Sequence, residues 1–364
     1  MRFPEYEDDW QEKKVIDIAP LQRGFDLPTK KVEKGKYPVV YSNGILRHHK
    51  KSKVKAPGIV TGRSGTIGKV TYVERDYWPH NTSLWVTDFK NNYPKFIYFF
   101  YLNLHLERYN AGSTVPTLNR NDVHSLKKRI PKFIEQQKIS SFLTAIEKRI
   151  ETQNKIIKDL TVLKNSLSKK LYKQKMKFPE FKNDWKFFKL GEMGKFFSGG
   201  TPLTSKKNYY EGNIPFIKSG EINAEKTEQF ISNEGLKNSS AKMVEPGDLI
   251  FALYGATSGE VGISKFKGAI NQAILCIKTN IDNGFLLYYL RTNKNRILKT
   301  YLQGGQGNLS AQIIKSLKVP VPSKEEQQKT ASLLSSLDRK IELENKILEQ
   351  YILQKKYFLQ HLFI

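Results

Sequence analysis

The chain repeats itself, and a tandem repeat limits the fold more than any local signal, because each copy must build the same scaffold. Phe3, Pro4, Glu5, Asp9 and Trp10 recur as Phe178, Pro179, Glu180, Asp184 and Trp185. Further on, Pro131, Glu135, Gln136, Gln137, Lys138, Ser141, Leu143, Ile150, Glu151, Asn154, Lys155 and Ile156 recur, at one constant offset, as Pro322, Glu326, Gln327, Gln328, Lys329, Ser332, Leu334, Ile341, Glu342, Asn345, Lys346 and Ile347. Between these matched ends the copies diverge. Residues 38–44 can be laid on residues 215–221, sharing a strand-then-loop shape more than identities. Residues 58–60 lead into a glycine loop at 61–68, and residues 247–253 into one at 254–262, each reading as strand, glycine loop, strand. An aromatic-rich stretch follows in each copy, 96–106 and 285–290, with the pattern of a helix packed on a sheet. A second glycine-rich loop comes next, at 112–114 and 304–308. Two variable regions alternating with two near-identical segments is the pattern of a common scaffold carrying interchangeable heads.

The shared segments read as long helices. Ile139, Leu143, Ile146, Ile150, Gln153, Ile157, Leu160, Lys164, Leu167 and Leu171 follow the spacing of a coiled-coil seam. Their equivalents are Thr330, Leu334, Leu337, Ile341, Glu344, Leu348, Tyr351, Lys355, Phe358 and Leu362, interrupted by polar residues at the same two places. Neither segment has Gly or Pro after its opening, so each can run as one helix of roughly 40 residues, about 60 Å long. Antiparallel pairing of the two helices gives the repeat a pseudo-two-fold axis. Polar seam residues fix register, and the expected register sets Lys164 against Glu344 and Gln153 against Lys355. The alternative is that each helix packs on its own globular region or on a partner chain. The expected class is α+β: two mixed α/β heads, residues 1–130 and 176–321, separated by two antiparallel coiled-coil helices, residues 131–175 and 322–364.

Charge narrows the partner. Sixty-one Lys and Arg face 35 Asp and Glu over 364 residues, a formal net charge of +26. The basic residues run the whole length, so the folded parts themselves must be positive, and a polyanion such as nucleic acid relieves their repulsion. The single cysteine, Cys276, lies in the apolar run 273–277 and reads as packing in a core strand. No disulfide, no apolar leader and no membrane-length apolar window fit a reducing cytoplasm.

Enzyme signatures are missing. Gly35-Lys36, Gly68-Lys69 and Gly194-Lys195 are followed by Tyr37, Val70 and Phe196, where a phosphate-binding loop needs Ser or Thr for its magnesium. The histidines are scattered apart from His48-His49, read as a solvated or phosphate-facing pair, and one cysteine provides no metal-ligand spacing. Gly199-Gly200-Thr201 precedes Pro202 and reads as a turn, since no dinucleotide fingerprint follows. The Asn or Asp, Pro, Pro, aromatic motif of a methyltransferase acting on base nitrogens is absent. Glu12 and Lys14 have the spacing of a nuclease pair, but without an identifiable acidic partner on a neighbouring strand. No catalytic, cofactor-binding or metal-binding residue is therefore assigned.

The glycine loops are the candidate contacts with DNA, because Gly lets the backbone approach a phosphate or base edge closely. Arg63 can pair with guanine, Asn43, Gln306 and Asn308 can read adenine, and Ser64, Thr66, Thr257 and Ser258 suit bases or phosphates. Lys69, Lys218 and Lys265 suit neutralisation of backbone charge. Ser219 and Tyr254, beside them in the same loops, complete the candidate set.

These features together resemble the specificity subunits of Type I restriction-modification systems, over essentially the entire chain. The residues that carry the resemblance are the Phe-Pro-Glu opening with its Trp, Ile214-Pro215-Phe216-Ile217 with Lys218-Ser219-Gly220, Gly247-Asp248-Leu249-Ile250 leading to Gly259 and Gly262, Asn271-Gln272, and the Pro then Glu-Gln-Gln-Lys that begins each long helix. Phe3 stands almost at the start, where relatives often carry a short leader. The resemblance implies two target recognition domains, antiparallel spacer helices, and a bipartite DNA site whose halves flank an unspecified gap of about one helical turn. It also implies two modification subunits that supply S-adenosylmethionine and methylate adenine. A restriction subunit would supply ATP- and magnesium-dependent translocation and cleavage, leaving no cofactor in this chain. Base-contacting positions do not transfer, because the shared motifs lie in the scaffold. Two rivals predict other behaviour. A coiled-coil assembly protein binding DNA non-specifically would show steep salt dependence without sequence preference, and a self-contained nuclease or methyltransferase would act on DNA alone.

Overall fold

The computed structural model describes residues 1–110, 114–301 and 308–363. The chain divides into two compact units, Met1–Lys155 with Lys346–Ile364, and Ile156–Asn345. The first copy of the repeat contains β1 (Gln11–Lys14), α1 (Val15–Ile18), β2 (Leu21–Arg23), β3 (Tyr37–Tyr41), β4 (Gly44–His49), β5 (Gly58–Gly62) and β6 (Val70–Val73). It continues with β7 (Trp78–Pro79), β8 (Ser83–Val86), α2 (Pro94–Asn103), α3 (Arg120–Ser125), β9 (Lys127–Ile130) and α4 (Phe133–Tyr172). The second copy runs β10 (Lys186–Lys189), β11 (Gly194–Ser198), β12 (Ile214–Ile217), β13 (Phe230–Ile231), α5 (Asn233–Lys237), β14 (Lys242–Val244) and β15 (Leu249–Ala252). Then come β16 (Val261–Ile263), β17 (Gly268–Ile270), β18 (Ile274–Thr279), α6 (Asn283–Tyr301), α7 (Ala311–Ser316), β19 (Lys318–Val321) and α8 (Lys324–His361).

In the first unit an antiparallel sheet ordered β2-β8-β5-β6 is joined by a smaller sheet β4-β3-β7, in which β3 and β7 run parallel. The second unit repeats the plan as β11-β18-β15-β16 and β13-β12-β17-β14, with β12 parallel to β17. A two-stranded ladder closes each copy, β1 with β9 and β10 with β19. The central strands are apolar on both faces, as in Leu249-Ile250-Phe251-Ala252, all buried, because a helix covers one face and the second sheet the other. The covering helices are α2 and α6. Helix α2 starts on Pro94, whose missing N–H is no loss in a first turn, and buries Phe96, Ile97, Phe99, Phe100 and Tyr101. Each such side chain contributes about 1.5–3 kcal/mol by leaving water.

The repeated opening and the Glu-Gln-Gln run prove to be one piece of architecture. Glu135, 2% exposed, accepts from Trp10 Nε1 at 3.2 Å and from Arg2 at 2.8 Å. Gln136 accepts the N–H of Tyr93 at 2.8 Å, and its equivalent Gln327 accepts that of Asp282 at 2.8 Å. Both amides thereby satisfy a backbone donor at the entry to α2 or α6, where no intrahelical partner exists. Lys138 pairs with Glu5 at 2.9 Å over the ring of Phe3, and Lys329 pairs with Glu180 over the ring of Phe178. The matched residues are therefore scaffold, and that is why they match.

Within the first unit, Phe142 of α4 meets Phe358 of α8 at 4.8 Å between ring centres, and Glu147 meets Lys355. One helix advances as the other retreats, so these segments are antiparallel. The ion pairs that the seam lysines make are Lys355 with Glu147 at 2.8 Å in the first unit and Lys164 with Asp338 at 2.6 Å in the second. The seam spacing had set Lys164 against Glu344 and Lys355 against Gln153; the carboxylates that close these pairs lie six residues earlier in each helix. The reason lies outside the helices. Tyr98 of α2 donates to Glu147 at 3.1 Å, and Tyr288 of α6 donates to Asp338 at 2.7 Å. Each carboxylate thus answers a lysine on the other helix and a phenol on the head, a three-part contact that seam spacing cannot register. Gln153 and Glu344 are both buried.

Cys276 is buried in β18, and burial pushes its thiol up to about 12. A raised value keeps the thiol protonated at pH 8, so iodoacetamide at that pH is expected to leave native protein unlabelled and to label it fully in urea. Prompt labelling of native protein would contradict this. Among the described residues, no helix is long and apolar enough to cross a membrane, and no group of three or more His, Cys, Asp or Glu could hold a metal ion.

Candidate nucleic-acid interface

Glycine fixes the first loop of each unit. Gly65 and Gly68, and Gly255 and Gly259, all have φ between 81° and 89°, the left-handed region that other residues avoid. The loop after β5 is then tied to the segment that follows the second glycine-rich stretch. Gly65 N–H donates to Pro116 O at 2.9 Å, and Leu118 N–H donates to Arg63 O at 2.8 Å. In the second unit Leu309 N–H donates to Leu253 O, also at 2.8 Å. Leu118 and Leu309 share the offset that relates Pro131 to Pro322. Two segments far apart in sequence are therefore brought side by side, and in both units by the same backbone bond.

A third segment joins them, the turn that leaves β7 or β17. Arg63 N–H donates to Thr82 O at 2.9 Å, and Leu253 N–H to Ala273 O at 2.8 Å. Thr82 N–H reaches His80 Nδ1 at 3.3 Å, while Ala273 N–H reaches Asn271 Oδ1 at 3.1 Å. Burial lowers the pKa of His80, which keeps its ring neutral and able to accept at Nδ1. The β3–β4 turn closes the first edge, with Ser42 N–H on Thr82 Oγ1 at 3.3 Å.

The candidate residues fall into two groups. Asn43 is exposed in the β3–β4 turn, and Lys69 reaches across to its carbonyl, so both stand at the loop edge. Arg63 is half-buried, with Nη1 at 3.4 Å from Asn81 O, next to Ser64 and the exposed Thr66. Lys218 and Ser219 leave β12 beside the point where Asn271 leaves β17, because Ile217 pairs with Ile270. Thr257 lies half-buried in the β15–β16 loop and Asn308 is exposed. The other group is occupied differently. Ser258 donates its hydroxyl to Leu253 O at 3.0 Å, holding the loop itself, and Tyr254 packs on the core. Lys265 lies past β16, at the Gly247 end of β15, opposite the loop, and pairs with Glu225. Gln306 lies outside the described residues. His49, expected to be solvated with His48, is 5% exposed, accepts Glu33 N–H at 3.0 Å and packs edge-on against Trp78; only His48 is open to solvent.

Sequence reasoning missed a polar side-chain pair at each edge. Asn81 donates to Asp26 in the first unit, and Thr201 donates to Gln272 Oε1 at 2.6 Å in the second. The sequence signal for this edge is the Asn271-Gln272 motif.

Three comparisons bear on this architecture. The family model described as Type I restriction modification DNA specificity domain matches residues 7–162 and again 182–351. The chain is 25% identical over 397 residues to the MjaX type I restriction enzyme specificity subunit of Methanocaldococcus jannaschii, covering 97% of this chain and 92% of that protein. The MjaVIII specificity subunit of the same organism is 26% identical over 275 residues, covering 69% of this chain and 64% of that protein. Among solved structures, the S subunit of a Type I restriction-modification system from M. genitalium superposes with a TM-score of 0.67 at 18% identity, covering 100% of this chain and 99% of that one.

Proposed function

The chain belongs to the Type I restriction modification DNA specificity family, a non-catalytic family, and we propose that as the DNA specificity subunit of such a system it reads a bipartite site, one half with each head. The heads are residues 1–130 and 176–321, and the helices at 131–175 and 322–364 are their spacers. Two modification subunits carrying S-adenosylmethionine methylate adenine in each half-site, and restriction subunits supply ATP- and magnesium-driven cleavage when the site is unmethylated. The work belongs in the cytoplasm, a setting that suits a lone, buried, free thiol.

One observation carries this reading. Two divergent sequences build the same three-segment edge, held by equivalent backbone bonds, and fill it with different polar side chains. A shared scaffold with unlike readers is what two half-sites of different sequence require. The net charge of +26 supplies the non-specific affinity beneath it, and that part should fall steeply with salt.

The test is to sequence methylated adenines in the host with and without this gene. The expected result is a single two-part motif that disappears on deletion. An unchanged methylation pattern, or purified complex that prefers no sequence over competitor DNA while binding tightly at low salt, would leave only a non-specific binding protein.

A further inference from the structure

Each edge carries one side-chain pair that answers the other by position although the residues differ. Asn81 and Gln272 stand at the same repeat offset, in the turn that leaves the parallel strand, and each is bonded to the residue three positions past the end of β2 or β11 in its larger sheet. Asp26 holds Asn81; Thr201 holds Gln272. We propose that Asn81 and Gln272 are specificity-determining residues, one for each half of the target, and that Asp26 and Thr201 orient them. This rests on the DNA-reading function proposed above and goes beyond it by naming the readers.

The chemistry follows from what each pairing leaves open. A side-chain amide can make paired hydrogen bonds to the N6 and N7 edge of adenine, accepting with its oxygen and donating with its nitrogen. Asn81 uses one N–H on Asp26 and keeps a second N–H and its carbonyl oxygen. Gln272 uses one lone pair of Oε1 on Thr201 and keeps both N–H groups and the other lone pair. Free, a Gln side chain loses rotamer freedom on binding; held by a neighbour, it has less to lose. The surroundings agree. Gln272, Thr201 and Asp26 are exposed, so the pairs are open to a ligand and are not part of the core. Arg63 donates to the backbone carbonyl of Asn81, which puts a guanine-pairing group next to an adenine-pairing one. Divergence at these positions is also what heads of different specificity need: the backbone frame is common to the two units, while the pair is Asp with Asn in one and Thr with Gln in the other.

The experiment uses the full chain assembled with its modification subunits. Gln272→Ala and Asn81→Ala are made separately, together with Gln272→Glu and Asn81→Asp, which keep size and remove the N–H donors. Methylated motifs are mapped, and binding to the wild-type site is competed with unrelated DNA across a salt series. Each variant is expected to relax one half of the motif and leave the other intact, with the ratio of specific to competitor binding falling about 5- to 150-fold and, in the two charge-neutral alanine variants, the salt slope unchanged. A slope reduced by about one in either alanine variant would mean a phosphate contact and overturn the proposal. So would unaltered motifs in all four variants, or relaxation of both halves by one substitution. Should the wild-type assembly itself methylate no defined motif, it is the underlying function that fails, a result separate from any of these.

Discussion

Gly62→Ala is expected to abolish reading of one half of the target, whereas Gly65→Ala, three residues on, should keep it. The two glycines are needed for different reasons. A Cβ on Gly62 would lie 1.7 Å from Thr66 O and 2.8 Å from Ser42 O. Both are backbone atoms, so no rotamer change relieves the clash, and the loop must leave its place between Thr66 and the β3–β4 turn. Gly65 meets nothing within 4 Å, and an alanine there must only bear a φ of +84°. That costs about 1–2 kcal/mol, which lowers the melting temperature without rebuilding the edge. Mapping methylated adenines for the two variants distinguishes them. A wild-type motif from Gly62→Ala would show that the loop between β5 and β6 takes no part in recognition.

The second large effect is on stability. Gln136 is 2% exposed and makes three bonds, accepting from Tyr93 N–H at 2.8 Å and donating to Asn92 Oδ1 at 2.7 Å and Pro131 O at 3.0 Å. Gln136→Ala strands all three groups. An unmet buried polar group costs about 1–3 kcal/mol, so a loss of about 3–5 kcal/mol is expected in urea denaturation, with hydrogen exchange accelerated at the start of α2. Gln327→Ala breaks two such bonds, to Asp282 N–H at 2.8 Å and Pro322 O at 2.9 Å, and should cost less. Gln136→Glu should not rescue: a carboxylate can take the Tyr93 N–H but presents oxygen to two further oxygens. If Gln136→Ala denatures at the wild-type urea concentration, the amide is not what joins the long helix to its head.

Much of the architecture was legible because it repeats. The interval between equivalent residues marked the two copies, and the absence of Gly and Pro after Pro131 and Pro322 marked helices that the structure bounds at Phe133–Tyr172 and Lys324–His361. The glycine loops were legible from Gly65, Gly68, Gly255 and Gly259, since a left-handed backbone leaves few other choices. The role of Glu135 and Gln136 was not. Their recurrence showed that they matter, but Trp10 and Tyr93, their partners, are too far along the chain for spacing to connect them.

The amino-acid order alone therefore determined periodicity, charge and the alternation of constant and variable parts, all properties of neighbours along the chain. Which polar groups meet was decided only by the fold. Lys164 pairs with Asp338 because Tyr288 on a head helix holds that carboxylate from the other side, and Asn81 meets Asp26 because β2 and β7 deliver their loops to one edge. A hydrogen bond depends on distances of a few tenths of an ångström between atoms from separate elements. Packing sets those distances, and no local pattern encodes them.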